Sequence, residues 1–241
     1  MSGYITRSQQ LHENLAKIIA SAQPGERLPT EPNLARQLGV SRATLREAMR
    51  TFETQGLIHR RQGSGTYVLH PSYVIETGLE VLESIETIAR RIGLEVSVGE
   101  LKIEPRHPTE DEARILSLTP DSKVIVLTRV IVAEGSPVAY LVDTLPQDFL
   151  SMGELDSSFT GSVLDLLLKR GTPRLNISRT EINAVTAQSE VARALRIQRG
   201  DVLLRFVAYL YADTGQVVDY SFSYFLPGYF KFHVIRRVGQ Y

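Results

Sequence analysis

The chain has 241 residues, 43% of them hydrophobic and 22% charged, which is enough for two ordinary domains and a composition that excludes general disorder. Cysteine is absent and the five histidines (12, 59, 70, 107 and 233) are not at ligand spacing, so a disulfide framework, a metal site and a metal cofactor are not expected. The net charge is zero, yet residues 1–70 carry nine Lys/Arg against five Asp/Glu, leaving 18 against 22 for the rest, a split that confines polyanion binding to the first seventy residues.

The chain begins MSGYITRSQQ, without an apolar targeting core, and no run approaches the roughly 18 apolar residues of a membrane span. A soluble cytoplasmic protein with no membrane partner is expected. Leu11, Leu15, Ile18, Ile19 and Ala22 recur at helical spacing over 8–22, and Pro24-Gly25 ends that helix. Thr30 suits the N-cap of a short helix through Leu38, with Pro32 in its first turn and Gly39 at the left-handed end. Ser41 caps a third helix, whose Leu45, Met49 and Phe52 share a face and which Gly56 closes. Residues 57–61 and 66–69 read as strands joined by Gln62-Gly63-Ser64-Gly65, so a β-hairpin wing follows a helix-turn-helix. A Glu-rich helix over 78–92, carrying Leu79, Leu82, Ile85, Ile88 and Ile92, is expected as a linker ended by Gly93. The domain boundaries are then 1–70, a linker helix in 71–93, and 94–241.

Beyond residue 93 two units repeat at an offset of about eighty residues. In the first, a helix over 110–118 leads to strands over 124–133 and 138–145. In the second, a helix over 189–197 leads to strands over 202–212 and 217–225. Gly135 matches Gly215, Val138 matches Val218 and Tyr140 matches Tyr220. A helix over 162–170 and a strand over 175–184 lie between the two. The fold class is α+β: a winged helix-turn-helix followed by a pseudo-symmetric antiparallel sheet with packed helices, whose concave face suits a ligand.

Arg42, Arg46 and Arg50 stand at i, i+4 and i+8 of the third helix, with Thr44 beside them. A guanidinium fork can bond both guanine acceptors in the major groove, each good pair giving on the order of 1–3 kcal/mol of discrimination. A helix start capped by Ser41 offers backbone N–H groups to phosphate, and Arg60 and Arg61 lead into a glycine wing that can approach the DNA backbone. An arginine row alone is as often a solvated face; cap, turn, row and wing together select DNA.

The segment PGERLPTEPNLARQLGVSRATLREAMRTFETQGLIHRRQGSGTYV resembles the winged-helix domain of the GntR regulator family over about 65 residues. The resemblance implies base and phosphate contacts by Arg42, Thr44 and Arg46 and a wing contact near Gly63. Thr30, Glu31, Ser41, Arg50, Ser64 and Gly65 complete the expected DNA-facing set. The chain departs from the family at Pro32, where arginine is common and a phosphate contact would follow.

From residue 71 onward there is no nucleophile elbow, phosphate-cradling loop or His/Asp pair, so no catalytic residue is expected. The stretches LTRVIVAEGSPVAYLVDTLP, GSVLDLLLKRG and DTGQVVDYSFSYFLPGYFKF resemble the UTRA effector domain of the HutC-type subfamily, whose fold resembles chorismate lyase. That resemblance implies a small, often anionic or phosphorylated effector. It makes Arg129 the anion partner, Ser162 a hydroxyl at a helix start and Asp219 a hydroxyl-binding carboxylate, with Tyr220 and Ser223 beside them. Tyr220, like its repeat mate Tyr140, is of a kind found more often in a core than in a pocket. Ile131 and Leu141 replace the family's frequent arginine and glutamate, making the site less polar. A homodimeric regulator, most often a repressor in this family, on double-stranded operator DNA and responsive to a small effector is the reading these features support. A C-terminal domain that only dimerises, or a chorismate-lyase-like enzyme with a DNA-binding tail, are the alternatives; indifference of DNA affinity to metabolites marks the first and ligand turnover the second.

Overall fold

The computed structural model describes residues 7–54, 56–61, 64–69, 74–155, 159 and 161–236. They fall into two units: residues through Val74 with Pro227–Lys231, and Ile75–Leu226 with the residues from Phe232 on.

The first unit holds three helices and a wing. Helix α1 (Arg7–Ser21) buries Leu11, Leu15 and Ile19, one residue per turn on one face. Helix α2 (Glu31–Leu38) buries Leu34 and Ala35 and stops at Gly39, whose φ of 65° is the left-handed position that glycine occupies without Cβ strain. Helix α3 (Arg42–Thr54) sends Leu45, Ala48, Met49 and Phe52 into the same core. Strand β1 (Ile58–Arg61) pairs antiparallel with β2 (Gly65–Val68), Ile58 opposite Val68. A third segment joins this ladder: the Leu28 N–H donates to the Thr66 carbonyl at 2.8 Å, and Arg27 bridges to Tyr67. Ile58 and Val68 close the helical core from the wing side, so the wing is fixed to the helices by apolar packing. Leu34, Leu45 and Met49 are fully enclosed; truncating any of them to alanine removes about 2–5 kcal/mol.

The second unit is built on a six-stranded antiparallel sheet in the order β4-β5-β6-β9-β8-β7. Its strands are β4 (Val96–Arg106), β5 (Val124–Ala133), β6 (Ser136–Pro146), β7 (Leu175–Thr186), β8 (Val202–Ala212) and β9 (Val217–Phe225). The order is a palindrome of two three-strand units meeting at β6 and β9. Each unit runs strand, short helix, strand, hairpin, strand, with helices α5 (Glu110–Ile115) and α7 (Ser189–Ala194) in matching places. The expected repeat is therefore present and is longer than the sequence showed, because β7 is the second unit's counterpart of β4 and not a segment between units. Ser117 and Arg196, each one residue beyond the C-cap of α5 and α7, share φ = 56°, so even the left-handed exits match.

A correction concerns the expected helix over 78–92. Strand β3 (Ile75–Gly78) occupies its start, and helix α4 spans only Ile85–Arg91. The Ser84 side chain accepts the Thr87 N–H at 3.0 Å, so the helix starts there, and Leu79 and Leu82 are left 38% and 48% exposed. Helix α4 belongs to the second unit and packs on β4. The unit's end is tied down by strand β10 (Phe230–His233): the Leu79 N–H donates to the His233 carbonyl, and the Phe232 ring lies 4.7 Å from Phe206 and 5.0 Å from Phe225.

Strand register sorts side chains onto two faces. One carries Ile125, Leu127, Leu145 and Leu210 beneath helix α6 (Val163–Arg170). The other carries Val124, Val126, Val142 and Tyr220 with Leu116, which follows α5.

Candidate functional site

In the first unit the cap at Ser41 sets up the recognition helix. Its hydroxyl accepts the Thr44 N–H at 3.1 Å and shares a 2.8 Å hydrogen bond with the Thr44 hydroxyl. Thr30 holds the N-cap position of α2 but makes no side-chain cap bond. Arg42, Thr44 and Arg46 are exposed on α3, whereas Arg50 is half-buried and pairs with Glu47 at 3.4 Å. The arginine row thus divides, with two members facing outward.

Glu31 does not stand free beside them. One of its oxygens accepts Arg46 Nε at 2.6 Å, and the other lies 3.9 Å from Arg60 Nη1 on the wing strand. Arg60 Nη2 also donates to the Arg46 carbonyl at 3.2 Å. Glu31 therefore joins α2, α3 and β1, and holds Arg46, one of the expected DNA-facing arginines, in place. Glu31→Gln is expected to loosen both arginines for phosphates: non-specific duplex affinity rises, its salt dependence steepens by up to about one unit of log–log slope per added contact, and preference for the operator falls. Titrations at several salt concentrations check this, and an unchanged slope with unchanged preference goes against it.

The wing places Ser64 in a 2.7 Å hydrogen bond with the Tyr67 hydroxyl. At Gly65 φ is 126°, and a Cβ would lie 2.6 Å from Arg27 Nε. Arg27, which sequence reasoning passed over, thus lays its guanidinium across the wing; the only signal was its place in GERLPTE. Gly63 lies outside the described residues.

In the second unit Arg129 is 5% exposed and stands on the α6 face of the sheet. Its Nη2 donates to Asp143 Oδ2 at 2.7 Å and its Nη1 lies 4.0 Å from Glu86 Oε1 in the first turn of α4. Asp219, 6% exposed on the neighbouring β9, is hydrogen-bonded to Asp143 and to the Thr144 backbone. Burial and the nearby Asp143 push its carboxyl well above the usual range. Burial likewise raises Glu86, with Arg129 opposing. Ser162 caps α6 through the Asp165 N–H at 3.0 Å, and Asp165 in turn accepts Ser84 Oγ at 2.7 Å and Thr87 Oγ1 at 3.3 Å. The starts of α4 and α6 are thereby laced together above the sheet. Arg129 Nε and Nη1, Asp219 Oδ1 and Glu86 Oε1 are buried without a hydrogen-bond partner among the described residues.

Four expected effector residues, Arg129, Ser162, Asp219 and Ser223, lie on this face or at the helix start above it, Ser223 half-buried opposite Leu141. Tyr220 does not join them. It points to the other face, against Tyr209 at 5.3 Å and the Leu116 cluster, because strand alternation puts it opposite Asp219 and Ser221. Ile131 and Leu141 are buried on the Arg129 face, as apolar neighbours. Asp143 and Glu86 were missed. Asp143 had a signal, a lone carboxylate at the buried parity of LVDTLP between Leu141 and Leu145; Glu86 had none.

Because Asp219 and Glu86 keep protons that the unfolded chain loses near its ordinary carboxylate values of 3.8 and 4.5, the folded state binds more protons than the unfolded one above those values. Their contribution to stability is expected to fall as pH rises from about 4 toward neutrality, against the opposite contributions of Glu112 and Glu154, whose carboxyls are held low. Asp219→Asn should flatten that decline, and a melting curve series identical to the parent's would contradict the raised carboxyl.

The profile described as bacterial regulatory proteins of the gntR family matches residues 7–68, and the UTRA domain profile matches residues 85–231, more than half of the chain. The chain belongs to the GntR family, in its UTRA-bearing branch. It is similar to the transcriptional repressor NagR of Bacillus subtilis, 28% identical over 219 residues, covering 90% of this chain and 88% of that one. It is similar also to the mannosyl-D-glycerate transport/metabolism system repressor MngR of Escherichia coli, 26% identical over 95% of this chain and 94% of that one. Its fold matches the crystal structure of PhnF from Mycobacterium smegmatis, with a TM-score of 0.65 at 20% identity, covering 95% and 100% of the two chains. These families and relatives are transcription regulators and not enzymes, which sets the enzyme alternative aside. The GntR domain implies DNA as a partner and the UTRA domain a small-molecule effector. Among the described residues no helix is long and apolar enough to cross a membrane, and no cluster of His, Asp or Glu could hold a metal ion.

Proposed function

We propose that this GntR-family regulator is a homodimeric repressor that reads a roughly palindromic operator and responds to a small metabolite held at Arg129. Arg42, Thr44 and Arg46 serve the major groove, while the wing around Ser64 and Gly65, with Arg27 across it, serves the backbone. The reading rests most on one observation: among the described residues, two buried nitrogens of Arg129 and one buried oxygen of Asp219 on a single face of the sheet have no hydrogen-bond partner. Orphaned buried polar atoms are expensive in a packed core, on the order of 1–3 kcal/mol each, and a ligand that supplies the missing hydrogen bonds removes that penalty. A homodimer would suit an operator with inverted half-sites, since half-site spacing mirrors protein symmetry. Regulation requires the metabolite to bind the DNA-competent and DNA-incompetent arrangements unequally.

The test is selection of duplexes from a random-sequence pool by the full chain, followed by sedimentation of the selected complex. An inverted repeat bound by two chains is expected. A single half-site bound by one chain overturns the dimer, and absence of enrichment overturns operator reading.

A further inference from the structure

The buried cluster that surrounds Arg129 has an unbalanced inventory. One guanidinium faces the carboxyl groups of Asp143, Asp219 and Glu86, and Asp165 lies close enough to Glu86 to act on it electrostatically. Among the described residues no second cation is paired with them: the neighbouring inward positions on β5 and β6 are Ile131 and Leu141, both buried. A buried ion is retained where an opposite charge and hydrogen bonds compensate it: Arg129 and Asp143 compensate each other, while Asp219 and Glu86, whose protons burial retains, have no cation of their own that would let them ionise.

From this inventory we infer that the site takes a small amine, cationic or zwitterionic, whose protonated nitrogen lies against Asp219 and Glu86 and whose acceptor group meets Arg129. The inference rests on the effector reading above and narrows it. Each of the four atoms of this cluster without a hydrogen-bond partner among the described residues then finds a match. Arg129 Nε and Nη1 are donors and take a carboxylate, carbonyl or hydroxyl oxygen of the ligand. Asp219 Oδ1 and Glu86 Oε1 take N–H donors from the amine. A phosphate or a dicarboxylate satisfies only the first pair, and brings further negative charge against three carboxyl groups with a single arginine to offset it. A neutral polyol satisfies the hydrogen bonds but leaves the carboxyls without a counter-charge. The anionic effector expected from family resemblance is thus the one that this constellation suits least.

The groups facing the ligand nitrogen come from four elements: Asp143 on β6, Asp219 on β9, Glu86 on α4 and Asp165 on α6, with Arg129 on β5 opposing them. An amine favours the ionised forms of Asp219 and Glu86, the two carboxyls that burial raises, so its affinity should strengthen as pH rises from about 5 to about 7.5; an anion has the opposite dependence.

The probes are three fractions of a bacterial metabolite extract: amines retained on a strong cation exchanger at acid pH, acids and phosphates then retained on an anion exchanger, and the neutral flow-through. Each is added to the full chain and the melting temperature is followed. A rise of about 5 °C or more with the amine fraction alone is expected, as is growth of that rise with pH. Glu86→Gln and Asp219→Asn should each reduce the response at least tenfold in the concentration needed, while keeping a cooperative melt without extract. A response confined to the acid or neutral fraction overturns the amine and leaves the effector reading standing. No response to any fraction overturns the effector reading itself, and an amine response that both variants retain in full overturns the site.

Discussion

Replacing Arg129 with leucine is expected to destabilise the second unit by about 3–5 kcal/mol, the effect of removing one partner from a buried ionic cluster. The reason is specific to the neighbours. Arg129 is the cation that Asp143 and Glu86 face, and its loss strands carboxyl groups on β6, β9 and α4 at the sheet surface beneath α6. Against a total stability of roughly 5–15 kcal/mol the loss is large, and melting should fall by on the order of 10 °C. The penalty should shrink on acidification, because Asp219 and Glu86 already retain protons above the ordinary carboxylate range and the variant has no cation to hold them ionised. Adding Asp143→Leu to Arg129→Leu should recover part of the loss, since an apolar replacement of a whole pair is far milder than the removal of one member. Calorimetry at neutral and acid pH measures all three, and a single variant that melts within 2 °C of the parent at neutral pH contradicts the buried cluster.

Arg46→Ala is expected to lower affinity for a selected operator by about 1–3 kcal/mol, roughly ten- to a hundredfold, and to relax preference at the base it reads. Stability should hardly move. The ion pair with Glu31 sits at a helix surface where the Arg46 side chain is 56% exposed, and such pairs contribute about 0–1 kcal/mol. This contrast between binding and folding separates Arg46 from Arg129, although both are arginines held by carboxylates. Anisotropy titrations at matched salt, with melting curves alongside, check it. Equal affinity of variant and parent would remove Arg46 from the DNA-reading set.

What the sequence disclosed depended on how local the cause was. The Ser41 cap, the Gly39 exit and the Leu45, Met49, Phe52 face are decided within a few residues, and each appears at its expected place. Strands β5, β8 and β9 were legible to the residue because apolar runs between turn signals define them. Strand β4 was not: it is largely exposed on both faces at the sheet edge, so alternation is missing from VSVGELKIEPR. The helix over 78–92 failed for a related reason. Leu79 and Leu82 continue a 3.6-residue spacing, but Ser84 satisfies the first N–H groups of α4 and ends the helix behind it. The site divides likewise. Arg129, Ser162 and Asp219 are singled out in the sequence only by family resemblance, whereas Asp143 reaches Arg129 through the register of β5 on β6 and Glu86 through a helix 43 residues upstream. Tyr220 was misplaced because its neighbours in sequence, Asp219 and Ser221, face the other way.

The most direct measurement of the whole account is the affinity of the full chain for its selected duplex with and without an unfractionated metabolite extract, repeated with Asp219→Asn. A change of tenfold or more that the variant loses, with its operator affinity in buffer intact, is expected. DNA affinity that ignores the extract in parent and variant alike would contradict effector control and leave the second unit as a dimerisation domain.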